Sequence, residues 1–301
     1  MGPTITPIDA TLGAVVTGLG LARMDVATWK AVEQAFHAHA VLVFPGQDLT
    51  DDEQVAFASR FGEIELLAPD PELKAVAISN RKPDGSVMGA EEHRFKALRG
   101  NEGWHTDSSY MPLSAKASVL SAQVVPSADG ETEWADMRAA YDALDEGTRT
   151  RISGLSAHHS LYHSQARIGH EVETGAGYGY HTKGAPLRPL VKVHPVTSRP
   201  ALYIGRHAYG IPGLDELESE RLLSALVDFA CRPPRTYAHR WQPGDVVIWD
   251  NRCVLHRARP YNYSEVRVMR HTRVAGDPAT ELAPTHRDER ARAYEPSTSN
   301  R

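Results

Sequence analysis

A mainly β fold, an antiparallel sandwich or jelly roll carrying flanking helices, is predicted by three features of the 301-residue sequence. Short β-like runs dominate from about residue 104 onward. They are spread over a wide span without regular alternation of strand and helix. Apolar types make up 41% and charged types 24% of the chain, a globular balance that excludes collagen, low-complexity disorder and a disulfide mini-protein.

The elements follow in order. Asp25 to Ala40 carries Trp29, Val32, Phe36 and Ala40 at helical spacing, with Asp25 as its N-cap. Val41 to Phe44 reads as a short buried strand ended by the turn pair Pro45-Gly46. Thr50-Asp51-Asp52-Glu53 is a capping-box sequence. It opens a helix that turns Val55, Phe57, Ala58 and Phe61 inward and stops at Gly62. Ala75 to Ser79 reads as another strand. Residues 81–103 are polar and glycine-rich, which predicts a long loop with room for one helical turn, of the kind that serves as a lid or binding loop. Beyond it, strands are expected over Ala117–Val125, Leu187–His194, 201–209 and Asp245–Trp249, interrupted by helices over Met137–Leu144 and Leu214–Cys231. Residues 1–278 read as a single domain, and the polar stretch 279–301 as a flexible tail.

Composition also limits function. Lys and Arg number 33 against 38 Asp and Glu, a net charge of −5 that argues against nucleic acid or an anionic membrane as a partner. The start of the chain lacks the basic-then-apolar pattern of a secretory signal. No apolar run approaches the ~20 residues of a membrane span. Two cysteines, Cys231 and Cys253, cannot make a disulfide framework and suggest a reducing, cytoplasmic setting.

Three features carry chemistry. In Trp104-His105-Thr106-Asp107, an extended backbone would put His105 and Asp107 on one face, half of a metal site. Far downstream, Gly244 to His256 reads as a turn, a buried strand, a polar Asp-Asn-Arg kink and then a single histidine. His105, Asp107 and His256 together are two imidazoles and one carboxylate. Such a set occupies one face of an octahedral iron(II) and leaves positions open for substrates. The absence of thiolates argues against structural zinc. The third feature is Arg267, eleven residues after His256, in a stretch (252–273) with six arginines and one acid. A guanidinium is the natural bidentate partner of a carboxylate, so this basic strand points to small anionic ligands. It passes near His256 if the two segments are hairpin neighbours. Arg257 and Arg259 read as surface charges.

Taken together, His105-x-Asp107, Trp249-Asp250-Asn251-Arg252, His256 and Arg267 resemble the taurine dioxygenase family of iron(II)/2-oxoglutarate oxygenases. Phe57-Ala58-Ser59-Arg60-Phe61-Gly62 and Gly130-Glu131-Thr132 sit where that family places similar segments, and the likeness covers roughly residues 5 to 278. The runs 135–144, 186–195 and 204–208 are similar to the aryloxyalkanoate dioxygenases that open phenoxypropionate herbicides, notably the (S)-selective type.

The resemblance implies a double-stranded β-helix core of the cupin kind. It implies Fe(II) held by His105, Asp107 and His256, with 2-oxoglutarate and O2 as co-substrates. Arg267 would pair with the far carboxylate of 2-oxoglutarate, helped by Thr132, and Asn101 would lie near the substrate. His271 stands where the taurine enzyme keeps an arginine for the substrate anion. That departure weakens a sulfonate assignment and turns attention to Arg206 and His207, then Arg273, as holders of a substrate anion. The implied reaction hydroxylates the carbon beside the ether oxygen of an aryloxyalkanoate, giving a phenol plus pyruvate or glyoxylate, with succinate and CO2. The alternatives are a taurine- or alkyl-sulfate-type dioxygenase releasing sulfite or sulfate, a zinc hydrolase on the same three residues, and a non-catalytic binding protein. A homo-oligomer is implied as well.

Overall fold

A computed structural model describes residues 2–175 and 177–291. Its largest element is a seven-stranded sheet, in the order Thr4–Pro7, Ala14–Thr17, Val41–Phe44, Val246–Asp250, Ala115–Val124, Val268–Ala275 and Val76–Ser79. Its pairings are antiparallel except that 14–17 lies parallel to 41–44, joined by the crossover helix Val26–His39. A three-stranded sheet of Thr236–His239, Thr132–Asp136 and Val254–Ala258 packs against it. Trp134 of the small sheet meets Trp249 of the large one with ring centroids 5.7 Å apart. A four-stranded sheet of Ala208–Tyr209, Ser156–His159, Ala185–Pro189 and Thr285–His286 and a two-stranded ribbon, Val191–Val193 with Pro200–Leu202, complete the strands among the described residues. The chain is thus sheet-rich with flanking helices.

Strand alternation explains the two cores. Leu42, Phe44, Val246 and Ile248 point to the outer face and join Phe36 and Phe57 of the covering helices. Val41, Val43, Val247 and Trp249 point the other way, toward the small sheet. A strand covered on both faces must be apolar at every position, so Val41–Phe44 and Val246–Trp249 read as unbroken apolar runs. Each such side chain contributes on the order of 2 kcal/mol by leaving water.

The helix signals act as expected at their starts. Asp25 Oδ1 accepts from Thr28 N at 2.7 Å, opening the helix 26–39, which closes on Ala40 with a left-handed φ of 62°. Thr50 and Glu53 form the reciprocal capping box that opens Asp51–Ser59.

Four expectations need correction. Residues 81–103 hold the helix His93–Arg99 and a 3-10 turn at Gly100–Glu102; Phe95 is its buried apolar residue, so helical periodicity had almost nothing to register. The expected strand Leu187–His194 is two strands in different sheets, broken at the buried Leu190. The expected strand 201–209 is interrupted between Pro200–Leu202 and Ala208–Tyr209, where Gly205 takes φ 124°, a conformation and a spot (a Cβ would lie 3.1 Å from Trp104 O) that only glycine fits. Finally, residues 279–291 pack onto the fold. Thr285–His286 pairs with Ala185–Pro186, and the buried Glu281 carboxylate accepts from Lys192 Nζ at 2.5 Å and Ser114 Oγ at 3.0 Å. Polar composition misleads there because its buried acids find partners, Glu281 through Oε2 and Asp288 through Ser160 and Tyr209. The rest of the expected tail, 292–301, lies outside the described residues. No helix among the described residues is long and apolar enough to cross a membrane.

Candidate metal centre

His105 and His256 face each other in an isolated antiparallel bridge at the edge of the small sheet. Their ring centroids are 4.2 Å apart. Asp107 follows in a turn rather than in an extended run, and Ser108 behind it has a left-handed φ of 53°. Even so, all three side chains converge. One donor atom from each of His105, Asp107 and His256 lies within 4.8 Å of the others, and all three residues are buried. His256 Nε2 is 3.6 Å from Asp107 Oδ2.

The site sets the ionisation its members need to act as ligands. Burial pushes the His105 imidazole down to about 4 and His256 well below its ordinary value, so both are neutral at pH 7. His105 Nδ1 lies 2.8 Å from Gly103 O, to which it donates, leaving Nε2 with its lone pair. Burial alone would raise the Asp107 carboxyl. The Arg273 guanidinium and the surrounding imidazoles outweigh that and hold it well below the usual carboxylate range. Asp107 Oδ1 accepts from Arg273 Nη2 at 2.7 Å and Oδ2 from Ser118 Oγ at 2.6 Å. Asn251 ties this together: its Nδ2 donates to Ser118 Oγ at 2.9 Å, and its Oδ1 accepts from Asp107 N and from Trp249 Nε1.

A second cluster, His37, His194 and Asp250, is similarly tight. Its hydrogen bonds disqualify it as a metal site. His194 Nδ1 accepts from Val196 N and Thr197 N, which puts its proton on Nε2, 3.0 Å from Asp250 Oδ2. Arg252 grips the same carboxylate with Nε at 2.8 Å and Nη2 at 2.6 Å. Asp250 and Arg252 of the polar kink therefore brace the fold, and Asn251 serves the first cluster.

The remaining sequence-predicted residues fall in several places. His256 lies on Val254–Ala258 of the small sheet and Arg267 just ahead of Val268–Ala275 of the large one, so the two are not hairpin neighbours, but the sheets face each other. Alternation along Val268–Ala275 puts Met269, His271 and Arg273 on the inner face, with Arg267 buried at its start. Arg267 is 6% exposed, and its Nε and Nη2 have no hydrogen-bond partner among the described residues. It borders a cavity of about 40 Å3 shared with Asn101, Asn80 and Tyr261. Thr132 Oγ1 accepts from Trp241 Nε1 at 3.0 Å. His271 stacks on Trp249 with ring planes 5° apart, and its unpartnered Nε2 is 3.8 Å from Asp107 Oδ2. The His207 ring lies 5.7 Å from His105 and 4.8 Å from Tyr110, with Nδ1 2.8 Å from Ser164 Oγ. Arg206 gives Nη1 to Gly100 O and Nη2 to Ser164 O and Gln165 Oε1, so it ties the 100–103 segment down. Among the described residues it pairs with no carboxylate, and burial lowers its guanidinium to about 10. Arg257 and Arg259 pair with Glu133 on the outer face, as expected of surface charges.

A larger cavity of about 360 Å3 lies beyond Trp104 and touches none of the three candidate ligands. Two of its rim arginines are paired, Arg167 with Glu220 and Arg290 with Glu216.

Sequence reasoning missed Ser118, Glu65, Tyr178 and Trp241. A signal existed for Ser118: a serine inside an otherwise apolar strand has to find a buried partner. Glu65 and Tyr178 carry no such signal, since both come from irregular segments.

The comparisons agree with this geometry. The family model described as taurine catabolism dioxygenase TauD, TfdA family matches residues 4–273. The chain is 54% identical over 288 residues to the (S)-phenoxypropionate/alpha-ketoglutarate-dioxygenase of Sphingobium herbicidovorans, covering 94% of this chain and 98% of that protein. It is 39% identical over 254 residues to the alpha-ketoglutarate-dependent 2,4-dichlorophenoxyacetate dioxygenase of a Burkholderia species, covering 81% and 84%. Among solved structures, AAD-2 in complex with Mn(II) and N-oxalylglycine superposes with a TM-score of 0.83 at 38% identity, covering 91% of this chain and 98% of that one.

Proposed function

The chain belongs to the taurine catabolism dioxygenase TauD, TfdA family, and from that premise we propose how its own residues run an aryloxyalkanoate-opening reaction. It is a 2-oxoglutarate-dependent dioxygenase, an oxidoreductase. It hydroxylates the carbon next to the ether oxygen of phenoxypropionate- or phenoxyacetate-type acids. The product falls apart to a phenol plus pyruvate or glyoxylate, alongside succinate and CO2.

The residues present fit the groups this needs. Two neutral imidazoles and an ionised carboxylate, converging within 4.8 Å, suit a divalent metal. A buried guanidinium with two unpartnered nitrogens suits the far carboxylate of an oxo-diacid. That orphaned Arg267 is the observation that carries the reading, because a zinc hydrolase or a binding scaffold has no use for it. When bound, Fe(II) with 2-oxoglutarate and O2 supplies the oxidising power for the hydroxylation.

The chain supplies the rest. His105, Asp107 and His256 hold the metal. Arg267 sets the register of 2-oxoglutarate, and Thr132, oriented by Trp241, donates its hydroxyl to the same co-substrate. Arg206, with no acidic partner among the described residues, gives the substrate carboxylate a positive field, with His207, His271 and Asn101 around the aryl acid. Leu98, Asn101 and Glu102 of the segment 81–103 line the cavity beside Arg267, which supports a role for that segment in closing over the site. The two facing sheets form a double-stranded β-helix, and residues 1–278, with 279–291 packed onto them, act as one catalytic unit. The free cysteines support a cytoplasmic setting, and a homo-oligomer is the assembly expected there.

The test supplies purified protein with Fe(II), 2-oxoglutarate and air, and a panel of (R)- and (S)-2-phenoxypropionate, phenoxyacetate, taurine and an alkyl sulfate. Phenol and succinate in equal amounts, fastest with the (S) acid, are expected. Sulfite or sulfate release without phenol would move the enzyme to the alternative substrate class. No succinate with any substrate would end the reading.

A further inference from the structure

One cross-strand pair controls both oxygens of the candidate ligand Asp107. Ser118 and Arg273 are register partners on neighbouring strands of the large sheet, and both point to its inner face. Ser118 Oγ donates to Oδ2 at 2.6 Å, and Arg273 Nη2 donates to Oδ1 at 2.7 Å. The two oxygens are not equivalent. Oδ2 is the one that faces the imidazoles, 3.6 Å from His256 Nε2 and 3.8 Å from His271 Nε2. Each oxygen accepts one hydrogen bond, but the bond to Oδ1 comes from a cation and draws more of that oxygen's donor strength than the neutral hydroxyl draws from Oδ2.

Arg273 is itself held in place. Glu65 N donates to Arg273 O at 2.8 Å, which fixes the backbones together. The Glu65 carboxylate lies 4.0 Å from Arg273 Nε and accepts from Ser108 Oγ at 2.8 Å. Arg273 Nη1 donates to that same Ser108 Oγ at 3.0 Å. The Tyr178 ring covers the guanidinium at 5.5 Å, and its hydroxyl donates to Glu65. The guanidinium is thus buried and aimed: Nη2 is spent on Asp107 and Nη1 on Ser108, while Nε faces the Glu65 carboxylate 4.0 Å away, so its charge is already compensated by two acids.

We infer that Arg273 is a positioning residue that confines Asp107 to ligation through Oδ2 alone. This rests on the dioxygenase reading above. A carboxylate can ligate through one oxygen or both. Facial-triad chemistry needs three positions left open by its protein ligands. An Asp107 free to use both oxygens would take one of them, in competition with the 2-oxo acid. Arg273 prevents this by keeping Oδ1 engaged elsewhere. The expected signature is specific: removal of Arg273 should spare metal binding and impair 2-oxo acid binding.

The experiment uses the full chain with Co(II), which does not turn over. The variant Arg273→Met/Glu65→Gln removes the guanidinium without leaving Glu65 as a buried, unpaired charge; Arg273→Gln/Glu65→Gln is its polar counterpart if the first does not fold, as judged by circular dichroism. Co(II) is titrated by calorimetry, and 2-oxoglutarate is then titrated into the cobalt-loaded protein, followed by the visible cobalt spectrum. Cobalt affinity is expected to stay within about threefold of the wild type or to tighten, while 2-oxoglutarate affinity falls by at least about tenfold. Arg273→Lys, which keeps one donor for Oδ1, should recover most of that loss. Wild-type 2-oxoglutarate affinity in a folded double variant would overturn the inference. So would parallel loss of cobalt and 2-oxoglutarate that lysine does not restore. If the wild-type protein binds neither cobalt nor 2-oxoglutarate, it is the dioxygenase reading that fails.

Discussion

His105 and His256 exchange both backbone hydrogen bonds: His105 N donates to His256 O at 3.0 Å, and His256 N to His105 O at 2.7 Å. The two imidazoles are therefore held side by side by the backbone, whatever their side chains do. His256→Ala should then cost the metal and not the fold. We expect metal affinity, measured by Mn(II) calorimetry, to fall by more than about 100-fold, beyond what loss of an outer-shell partner costs. The urea midpoint of the metal-free protein should barely move. Asp107→Ala differs, because it strands the buried Arg273. Breaking such a pair costs about 3–5 kcal/mol, so this variant should lose stability as well as metal. Equal urea midpoints for the two variants would contradict the assignment of Arg273 as the counter-ion of Asp107.

Arg267 predicts opposite effects in the free and bound protein. Burial lowers its guanidinium below the ordinary value, and Nε and Nη2 are unpartnered. An unpaired buried charge destabilises the free state. Arg267→Met should therefore leave the melting temperature of the free protein unchanged or raised. The same change should raise the 2-oxoglutarate half-saturation by the loss of a desolvated charge pair, about 2–5 kcal/mol, and hardly move that of the aryloxy acid. Added 2-oxoglutarate should raise the melting temperature of the metal-loaded wild type and leave the variant unmoved. A variant that melts well below the wild type yet keeps the 2-oxoglutarate shift would show that Arg267 serves the fold.

What could be read from the sequence divides along local and long-range lines. Asp25, Thr50 and Glu53 declare helix starts within four residues, and the runs 41–44 and 246–249 declare doubly covered strands through their own composition. The ligand triad could be assembled because His105-x-Asp107, His256 and Arg267 occur together in a known family pattern; residue types alone would not do it, since His37, His194 and Asp250 make the same set and brace the fold. Sheet membership could not. Nothing in residues 258–268 announces that the chain leaves the small sheet and joins the large one, so a hairpin was only one condition under which Arg267 could come near His256, and facing sheets meet it instead. Gly205 interrupts an expected strand at φ 124°, and only glycine fits there because a Cβ would lie 3.1 Å from Trp104 O, on a segment a hundred residues away. Glu65 and Tyr178 stayed hidden for the same reason. Their significance is their position against Arg273, which no spacing encodes.

Trp241 is expected to act through Thr132. Its indole N–H donates to Thr132 Oγ1 at 3.0 Å, which leaves the hydroxyl proton to be donated elsewhere. Trp241→Phe removes that donor and keeps most of the ring. The 2-oxoglutarate half-saturation should rise about three- to tenfold, the worth of one hydrogen bond near 1 kcal/mol, with little change in kcat at saturation. Thr132→Val should do the same or more. In Trp241→Phe/Thr132→Val the effects should not add, because both changes remove one interaction. Full additivity would mean that the two residues act separately.

The acid limb of stability should contain a separable contribution from His163. Burial, aided by Arg290 and Arg167, pushes this imidazole down to about 4, while its ring stacks on Tyr209 at 4.8 Å with planes 20° apart. Between the unfolded value of about 6.5 and the folded value, the unfolded chain holds a proton that the folded chain does not. Stability from this group is therefore complete above about pH 6.5 and is lost as the pH falls toward 4. His163→Phe keeps an aromatic ring on Tyr209 and removes the titration. Near pH 5, the slope of unfolding free energy against pH should be smaller in the variant by about 1.4 kcal/mol per pH unit, one proton's worth. Urea unfolding at pH 4.5, 5.5 and 7.5 measures it. An unchanged slope would place the His163 pKa near 6.5 in the folded protein and its ring in water.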